Sequence, residues 1–329
     1  MISKMKIFIS GGAGFIATHL IDRLVSDNQI FVYDNLSRNS LKESKCWNHP
    51  NLKIIEGDIL EYDRLKTSIP HDTDIILHMA AIAGIDTVIK NPLKTMEVNM
   101  IGTYNILRAL RELMMIEKIK CFVDFSTSEV FGINAFRVDE KSSVNLQPVG
   151  EARWTYSVSK LAGEHIVHSY HKQFGLRAVT VRPFNVYGPM QIGEGAIHHF
   201  VVRAIRNEPL IIHGEGDQIR SWCYIDDMVE GILLCLEEEK AIGEVFNIGN
   251  PKGTITILGL AEKVIQLGKS CSQIRHVPKS YVDVELRIPS IEKIKDLLGF
   301  EPKIDLNEGI RRTIEWYTTK AEGKRSSNR

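Results

Sequence analysis

The chain alternates between short apolar runs that are typical of β-strands and longer stretches with the apolar spacing of helices. The first unit is a strand over residues 5–10 and a helix over residues 14–26, joined by a glycine-rich turn. Strand, helix and strand in succession form the repeating unit of a parallel sheet with helices on both faces. The chain is therefore predicted to be an α/β protein built on a doubly wound parallel sheet. The later strands are predicted over residues 30–33, 52–56, 74–79, 119–125 and 176–182, and the clearest helices over residues 92–115 and 155–173.

The pattern changes after Pro183. Residues 186–224 are rich in Gly and Pro, and only short apolar pieces interrupt them. We therefore predict a larger domain over residues 1–183, a smaller mixed C-terminal part over residues 184–320, and a flexible tail over residues 321–329. Helices of the smaller part are predicted over residues 226–238, 256–267, 290–298 and 306–319.

The first turn carries the glycine spacing of a dinucleotide-binding loop. Gly11 permits a tight turn, and Gly14 lets the backbone approach a pyrophosphate at the N-terminus of the following helix. Ala17 occupies the third position of the motif, which tolerates alanine there. Phe15 and Ile16 open the helix and are expected to contact the cofactor as well. With this loop, the predicted sheet is of the Rossmann type.

Acidic residues follow the second and third strands. Asp34 ends the second strand, where its carboxylate can accept both hydroxyls of a ribose and would repel a 2′-phosphate. NAD is therefore favoured over NADP, with Asn35 in the same site, and Arg38 is expected to be a solvated loop arginine. Asp58, next to Ile59, has two open interpretations: it accepts a hydrogen bond from the adenine amine, or it caps a helix.

Charge and composition argue against several classes of protein. Lys plus Arg number 41 and Asp plus Glu number 41, so the formal net charge is zero. A neutral chain lacks the basic excess that drives nucleic-acid binding, and no apolar stretch approaches the ~18 residues of a membrane helix. The five cysteines are scattered without a CxxC pair, which argues against a disulfide framework and a zinc site. We expect a cytoplasmic protein with no metal, no nucleic-acid partner and no membrane partner.

Hydroxyl groups and one carboxylate follow the fifth strand, in residues 126–129. In doubly wound sheets, ligands bind outside the carboxyl ends of the strands, so these side chains are placed at the predicted site. About thirty residues later, Tyr156 and Lys160 are four residues apart and share one helix face. An ammonium beside a phenol lowers the pKa of the phenol, so Tyr156 is predicted to act as a general base.

Together these motifs resemble the extended short-chain dehydrogenase/reductase family. Members of this family are NAD-dependent nucleotide-sugar epimerases, dehydratases and decarboxylases, and the resemblance covers nearly the whole chain. It implies that residues 1–183 bind NAD and carry the catalytic residues, whereas residues 184–320 mainly bind the substrate. The matching residues are Gly11, Gly14, Ala17, Asp34, Asp58, Ile59, Ala80, Ala81, Ser126, Thr127, Tyr156, Lys160 and the run over residues 182–189.

The resemblance implies a role for each matching residue. Thr127 and Tyr156 would hydrogen-bond the sugar 4-hydroxyl, and Tyr156 would take its proton while the C4 hydride passes to the nicotinamide. Lys160 would bind the nicotinamide ribose. Asn185 and Arg220 would hold the substrate diphosphate, since an arginine fork suits phosphate well. By the same resemblance, Ala80 and Ala81 would contact the cofactor, and Ser128 the substrate.

Two further expectations come from the family. Asn99 either supports the active site or only bends its helix, and both interpretations stay open. The helices over residues 92–115 and 155–173 have broad apolar faces, which in this family pair across a two-fold axis, so a homodimer is expected.

The reaction that follows oxidation at C4 has three possible outcomes. Glu129 follows Thr127 by two residues, so on an extended strand both side chains would point the same way and place a carboxylate beside the keto-sugar. Such a carboxylate serves chemistry at C5 and C6, which simple epimerisation does not need. The string around Glu129 is similar to those of glucuronate decarboxylases and of GDP-mannose 4,6-dehydratases.

The run around Arg287 resembles UDP-xylose synthase and the bacterial decarboxylase that makes UDP-4-keto-arabinose. In those enzymes the matching arginine lies at the sugar carboxylate. Residues 133–153 and 191–199 match these decarboxylases less well. The resemblance around Arg287 makes a UDP-sugar the expected substrate and UDP-glucuronate decarboxylation the first interpretation. A 4,6-dehydratase is the second interpretation and a 4-epimerase the third, and a non-catalytic NAD-binding regulator is the other class.

Overall fold

The computed structural model describes residues 2–146, 148–279 and 283–327. The strands predicted in the first 183 residues are present, with ends that differ from the predictions by no more than one or two residues. The strands are β1 (Lys6–Ser10), β2 (Gln29–Asp34), β3 (Leu52–Glu56), β4 (Ile75–His78), β5 (Cys121–Phe125), β6 (Asn134–Val138), β7 (Ala178–Pro183), β8 (Val186–Tyr187), β9 (Leu210–His213), β10 (Ile219–Ser221), β11 (Cys223–Tyr224), β12 (Val245–Ile248), β13 (Thr254–Thr256), β14 (Ile274–Val277) and β15 (Leu286–Pro289).

Helices separate most of these strands. In the described part of the chain, no helix is long and apolar enough to cross a membrane. The helices are α1 (Phe15–Leu24), α2 (Tyr62–Ser68), α3 (Ile85–Lys90), α4 (Pro92–Met96), α5 (Gly102–Glu112), α6 (Ala152–Phe174), α7 (Ala196–Ile205), α8 (Ile225–Glu237), α9 (Ile257–Leu267), α10 (Glu292–Leu298) and α11 (Leu306–Ser327).

The main sheet has seven strands in the order β12-β7-β5-β4-β1-β2-β3, and each neighbouring pair runs parallel. The chain first moves outward from β1 to β3, then returns to β4 on the other side of β1. This confirms the predicted doubly wound sheet. The reversal point lies between β1 and β4, where such sheets bind ligands at their carboxyl edge. One core layer packs under α1 and α8, and the other under α5 and α6.

A smaller mixed sheet has the order β13-β10-β15-β6, which confirms the predicted second part. Two strands do not follow the predicted boundary at residue 183. Strand β6 precedes it but joins the small sheet, and β12 follows it but completes the main sheet. Backbone pairing between strands far apart in sequence therefore connects the two parts. The assignment of cofactor binding to one part and substrate binding to the other stays a prediction.

Two helix predictions need correction. The stretch over residues 92–115 is broken into α4 and α5 by a π-helical turn over Glu97–Ile101. The last helix does not end near residue 319 but continues to Ser327, because the Lys, Glu and Ala residues there are good helix formers. Leu93 and Tyr104 are exposed on the helices expected to pair, and the homodimer stays a prediction.

The π-helical turn positions Asn99 for contacts with two other elements. Its side-chain oxygen accepts a hydrogen bond from the backbone N–H of Ile82 at 2.8 Å, and its side-chain nitrogen donates to Ser159 Oγ at 3.1 Å. Asn99 therefore ties the segment after β4 to helix α6, in addition to lying in the irregular turn. The helix irregularity at Asn99 is present in the structure, and its support of the active site stays a prediction.

A buried ion pair fixes α6 on the main sheet. Arg182 on β7 donates from Nε and Nη2 to the two carboxylate oxygens of Glu164 on α6, at 2.9 and 2.7 Å. Both side chains are at most 8% exposed. Ser126, just after β5, donates a further hydrogen bond to the same carboxylate. One residue of α6 thus contacts the ends of two strands.

We expect Arg182→Met to lower the free energy of unfolding by about 3–5 kcal/mol, because it leaves Glu164 buried without its cation. Urea unfolding followed by circular dichroism measures this loss. The matched control is Arg177→Met, at the start of the same strand segment, whose ion pair with Glu239 is solvent-exposed and should contribute much less. Equal losses in the two variants would contradict the role of the buried pair.

Candidate active site

A cavity of about 680 Å³ lies at the carboxyl ends of the main-sheet strands. Residues that directly follow or end β1, β2, β3, β4, β5 and β7 contribute to its wall, so it spans the reversal point of the sheet. The wall brings together every predicted cofactor-binding residue, namely Gly11, Gly14, Phe15, Ile16, Asp34, Asn35, Asp58, Ile59, Ala80, Ala81, Tyr156 and Lys160.

The glycine turn is shaped for close backbone approach. Gly11 has a φ of +73°, and a Cβ added to it would lie 2.4 Å from the backbone nitrogen of Ala80. Gly14 is the N-cap residue of α1. A Cβ added to Gly14 would lie 3.2 Å from the carbonyl oxygen of Gly11, so this position has more space than that of Gly11. Unpaired backbone N–H groups at a helix N-terminus bind anions, so this turn fits a pyrophosphate.

Asp34 keeps hydrogen-bonding capacity for a ribose. Its two carboxylate oxygens accept from the backbone N–H groups of Ala13 at 3.0 Å and Leu36 at 2.7 Å. Burial raises the pKa of Asp34, and these two hydrogen bonds oppose that rise. Each oxygen can accept a second hydrogen bond, which is what two ribose hydroxyls require.

Of the two open interpretations of Asp58, helix capping is wrong, because the N-cap residue of α2 is Glu61 and that cap has no side-chain hydrogen bond. The adenine contact stays a prediction. The Asp58 carboxylate accepts from the backbone N–H of Leu60 at 2.9 Å, a turn contact just before α2. The residue also lines the cavity, where an adenine amine would find an acceptor. The structure therefore places a turn-forming aspartate in the cavity wall.

Arg38 was expected to be solvated, and this expectation is wrong. Its guanidinium donates to the carbonyl of Ala83 at 2.9 Å, to Thr87 Oγ1 at 2.7 Å and to Glu194 Oε1 at 3.1 Å. Glu194 also accepts from the backbone N–H of Asp86 at 2.7 Å and lines the cavity. The segment around Glu194 thus crosses to the cofactor side of the cavity. Glu194 is 156 residues from Arg38 in the sequence, so no local signal could have indicated this pairing.

Thr127, Tyr156 and Lys160 also lie in the cavity wall. Tyr156 and Lys160 are on one face of α6, as predicted. Burial raises the pKa of Tyr156 to about 12, although a hydrogen bond with Thr127 opposes the rise. The Lys160 ammonium donates to the carbonyl of Phe125, and burial lowers its pKa. The predicted lowering of the Tyr156 pKa by Lys160 is therefore wrong for this structure: burial dominates, and the Lys160 ammonium donates to the backbone.

Glu129 does not lie on an extended strand beside Thr127, so that prediction is wrong. Strand β5 ends at Phe125, and Thr127 is the N-cap of a short 3-10 helix over Ser128–Phe131 that contains Glu129. The Glu129 carboxylate forms ion pairs with Arg287 and with Arg153, the latter at 3.0 Å. Burial would raise the pKa of Glu129, but Arg287 and Arg153 outweigh it and hold the pKa at about 2.

None of the residues predicted to bind substrate is part of the wall of the cofactor cavity. Ser128, Arg220 and Arg287 are buried, and Asn185 is half-buried. Arg220 on β10 and Arg287 on β15 are register partners on adjacent strands, and Arg287 is only 1% exposed. Asn185 donates to the carbonyl of Ser221 at 3.2 Å, which ties it to the end of β10. Ser128 is buried at the start of the 3-10 helix.

Sequence reasoning assigned no role to Arg153 or Asp283. Arg153 donates to Asp283 Oδ1 at 2.9 Å, and Arg220 donates to the same oxygen at 3.2 Å. Arg153 precedes Tyr156 by three residues, so helical spacing places both on one side of α6. That spacing was the one local signal that could have found it.

The sheet, the glycine turn and the Thr127, Tyr156 and Lys160 set define the class of proteins that use a dinucleotide to oxidise a bound alcohol. A family model described as "NAD dependent epimerase/dehydratase family" matches residues 7–249, and the chain belongs to this family. This confirms the family resemblance and the prediction of NAD.

Individual known proteins are similar over nearly the whole chain. UDP-glucuronic acid decarboxylase 6 of Arabidopsis thaliana is 36% identical over 314 residues, which cover 94% of this chain and 87% of that protein. UDP-N-acetyl-alpha-D-glucosaminuronate decarboxylase of Bacillus cytotoxicus is 31% identical over 324 residues, covering 95% of this chain and 98% of that protein. The structure of UDP-glucuronic acid 4-epimerase from Bacillus cereus, in complex with UDP-glucuronic acid and NAD, is 30% identical with a TM-score of 0.85, and covers 96% of this chain and 99% of that one.

We expect Gly11→Ala and Gly14→Ala to separate folding of the turn from dinucleotide binding. Gly11→Ala should lower the thermal unfolding midpoint and abolish NAD binding, because its methyl group would collide with the backbone of Ala80. Gly14→Ala should unfold near the wild-type midpoint but bind NAD at least about ten-fold more weakly, which is about 1.4 kcal/mol. Thermal unfolding and calorimetric titration with NAD measure the two effects. Wild-type NAD affinity in Gly14→Ala would contradict pyrophosphate binding at this turn.

Proposed function

We propose that this enzyme oxidises a UDP-hexuronate at C4 and then releases its C6 carboxylate as CO₂, with UDP-glucuronate as the best single substrate. The observation that carries the proposal is Arg287. Its guanidinium is buried beside Glu129, and its Nε–H has no hydrogen-bond partner among the described residues. Leaving a buried donor unpaired is costly, and a sugar carboxylate is a suitable acceptor for it.

Three residues of the cavity wall take part in the proposed oxidation at C4. Thr127 and Tyr156 hydrogen-bond the sugar 4-hydroxyl, and Tyr156 takes its proton. Lys160, committed to the Phe125 carbonyl, is positioned for a ribose hydroxyl. NAD bound in the cavity supplies the hydride acceptor and, in its oxidised form, a positive charge that favours the phenolate of Tyr156.

Loss of CO₂ follows from the chemistry of the ketone. The C4 carbonyl is β to the C6 carboxylate, so the C5–C6 bond breaks and its electron pair moves into an enolate on the C4 oxygen. A proton then adds to C5. Arg287 orients the carboxylate before cleavage, and its ion pair with Glu129 holds it ready until the substrate binds.

The known relatives support the same class of substrate. The Arabidopsis thaliana and Bacillus cytotoxicus proteins are named for decarboxylation of different sugars, one with an acetamido group and one without. Both sugars are uronates on UDP, so a C6 carboxylate is the feature that they share. This chain matches both proteins over more than nine-tenths of its length.

A 4-epimerase acting on UDP-glucuronate is the second candidate function. The Bacillus cereus structure that favours it is 30% identical and contains UDP-glucuronic acid. A 4,6-dehydratase is less favoured, because the sugars in the names of these relatives are uronates, which carry a carboxylate at C6 and no C6 hydroxyl to eliminate. A purely regulatory role is less favoured because Thr127, Tyr156 and Lys160 all line the cavity.

We expect the purified protein with NAD to release CO₂ from UDP-glucuronate. The nucleotide-sugar product is a 4-keto-pentose lighter by CO₂ and two hydrogens when NADH leaves, or a pentose lighter by CO₂ alone when NADH returns its hydride to C4. Mass spectrometry of the product and trapping of the released CO₂ measure this directly. UDP-glucose, which has no carboxylate, serves as the control and should release none. Unchanged UDP-glucuronate would refute the proposal, an isomer of equal mass would favour the epimerase, and loss of water would favour the dehydratase.

We expect Tyr156→Phe to lower turnover by about 10²–10⁴-fold while NAD affinity stays unchanged, because the variant removes the proton acceptor and keeps the ring. The matched control is Tyr170→Phe on the same helix. The Tyr170 hydroxyl is buried without a partner among the described residues, so its removal should change neither turnover nor stability. Product formation and calorimetric NAD titration are compared across the three proteins. Full turnover by Tyr156→Phe would exclude this tyrosine as the base.

A further inference from the structure

Five charged side chains form an alternating chain at the edge of the candidate active site. In order they are Arg287, Glu129, Arg153, Asp283 and Arg220, and each contacts the next in an ion pair. The two ends are the arginines proposed to bind the substrate carboxylate and diphosphate. The middle of the chain is Arg153, which the proposed reaction does not use.

Arg153 is shared between both carboxylates. It donates from Nε and Nη2 to the Glu129 oxygens at 3.0–3.2 Å, and from Nη1 to Asp283 Oδ1 at 2.9 Å. Its side chain is 12% exposed, so these contacts are largely shielded from water. A planar guanidinium can hold two carboxylates at once, which a lysine cannot do with fixed geometry.

The two outer arginines are neighbours that repel each other. Arg220 and Arg287 are register partners on parallel strands, and both are buried. Burial lowers the pKa of Arg220 to about 10, and the charges of Arg287 and Arg153 add to this lowering, whereas Asp283 opposes it. The carboxylates of Glu129 and Asp283 therefore keep two adjacent cations stable. With three cations and two anions, the cluster has one positive charge that no anion within it balances.

A substrate anion at Arg220 or Arg287 competes with the carboxylate that already contacts that arginine. When a diphosphate takes Arg220, or a sugar carboxylate takes Arg287, the outer arginine loosens its hold on its own carboxylate. A buried carboxylate left without a cation costs several kcal/mol, which would weaken substrate binding. Arg153 already contacts both carboxylates and can retain whichever one is released.

We propose that Arg153 is a positioning residue that holds Glu129 and Asp283, so that Arg287 and Arg220 can exchange these partners for the anionic groups of the substrate. This inference rests on the proposed function for the identity of those groups. Arg153 lies one helical turn before Tyr156, so the same contacts place the substrate arginines relative to the base.

The experiment measures binding of UDP and of UDP-glucuronate to the NAD-loaded protein by calorimetry. UDP reports the diphosphate alone, and the ratio of the two affinities reports the gain from the sugar with its carboxylate. We expect Arg153→Met to weaken UDP at least ten-fold and to remove most of that gain, with NAD affinity unchanged. The control Arg311→Met removes an exposed arginine from an ion pair on α11 and should change neither affinity.

Two charge-balanced variants separate partner exchange from a structural role. Arg153→Met with Asp283→Asn should recover UDP binding to within three-fold of wild type, because the carboxylate released by Arg220 is gone. Arg153→Met with Glu129→Gln should leave UDP weak but restore the gain from the glucuronate. If neither double variant recovers binding, or if Arg153→Met alone binds both ligands like wild type, the role of Arg153 is wrong.

The outcomes distinguish this inference from the proposed function. Wild-type protein that binds UDP-glucuronate and shows the expected pattern, but releases no CO₂, would contradict the decarboxylase alone. Release of CO₂ by wild type, with Arg153→Met unchanged in binding, would contradict the inference alone. Wild-type protein that binds neither ligand would contradict both.

Discussion

The bidentate ion pair between Glu164 and Arg182 is the constraint on which the candidate site depends. It fixes α6 against β7, and its carboxylate also receives a hydrogen bond from Ser126 at the end of β5. Tyr156, Lys160 and Glu164 are spaced four residues apart, so they form one stripe along α6. Once Glu164 is held, Lys160 reaches the Phe125 carbonyl, and Tyr156 reaches the cavity one turn earlier.

The same stripe continues to the N-terminal end of the helix. Arg153 lies three residues before Tyr156 and contacts Glu129 and Asp283, which precede β6 and β15, two neighbouring strands of the small sheet. One helix face therefore carries, in order, Arg153 with its link to the buried arginines, the proposed base Tyr156, the proposed cofactor ligand Lys160, and Glu164, the anchor to the main sheet. This explains why β6 and β12, which each join the sheet on the other side of the predicted boundary, matter for the site. They bring the small sheet within reach of a helix that belongs to the main one.

Local patterns predicted the parts of the site that depend on short-range spacing. The glycine turn, Asp34, and the pair Tyr156 and Lys160 all lie in the cavity wall, since each follows a strand end or a helix face that apolar periodicity reveals. The contacts of Arg38 and Glu129 were not predicted, because their partners are 156 and 158 residues away. The pKa of Tyr156 could not be predicted from the spacing to Lys160 either. Burial depends on how distant segments pack, and here it is the largest cause of the raised pKa of Tyr156, whereas Lys160 donates to the Phe125 carbonyl.

The low pKa of Glu129 connects the buried charges to the choice of reaction. A chain with zero formal net charge concentrates three arginines and two carboxylates beside Thr127, and their mutual attraction keeps Glu129 ionised. An ionised Glu129 pairs with Arg287 until a substrate anion binds, and an ionised carboxylate is also the form that removes a C5 proton in a dehydration. The group at C6 therefore separates the two reactions. A uronate carries a carboxylate there, which leaves as CO₂ while its electron pair is accepted by the ketone, and it has no C6 hydroxyl to eliminate. The buried arginines that the cluster holds ready for an anion fit the proposed decarboxylation for this reason.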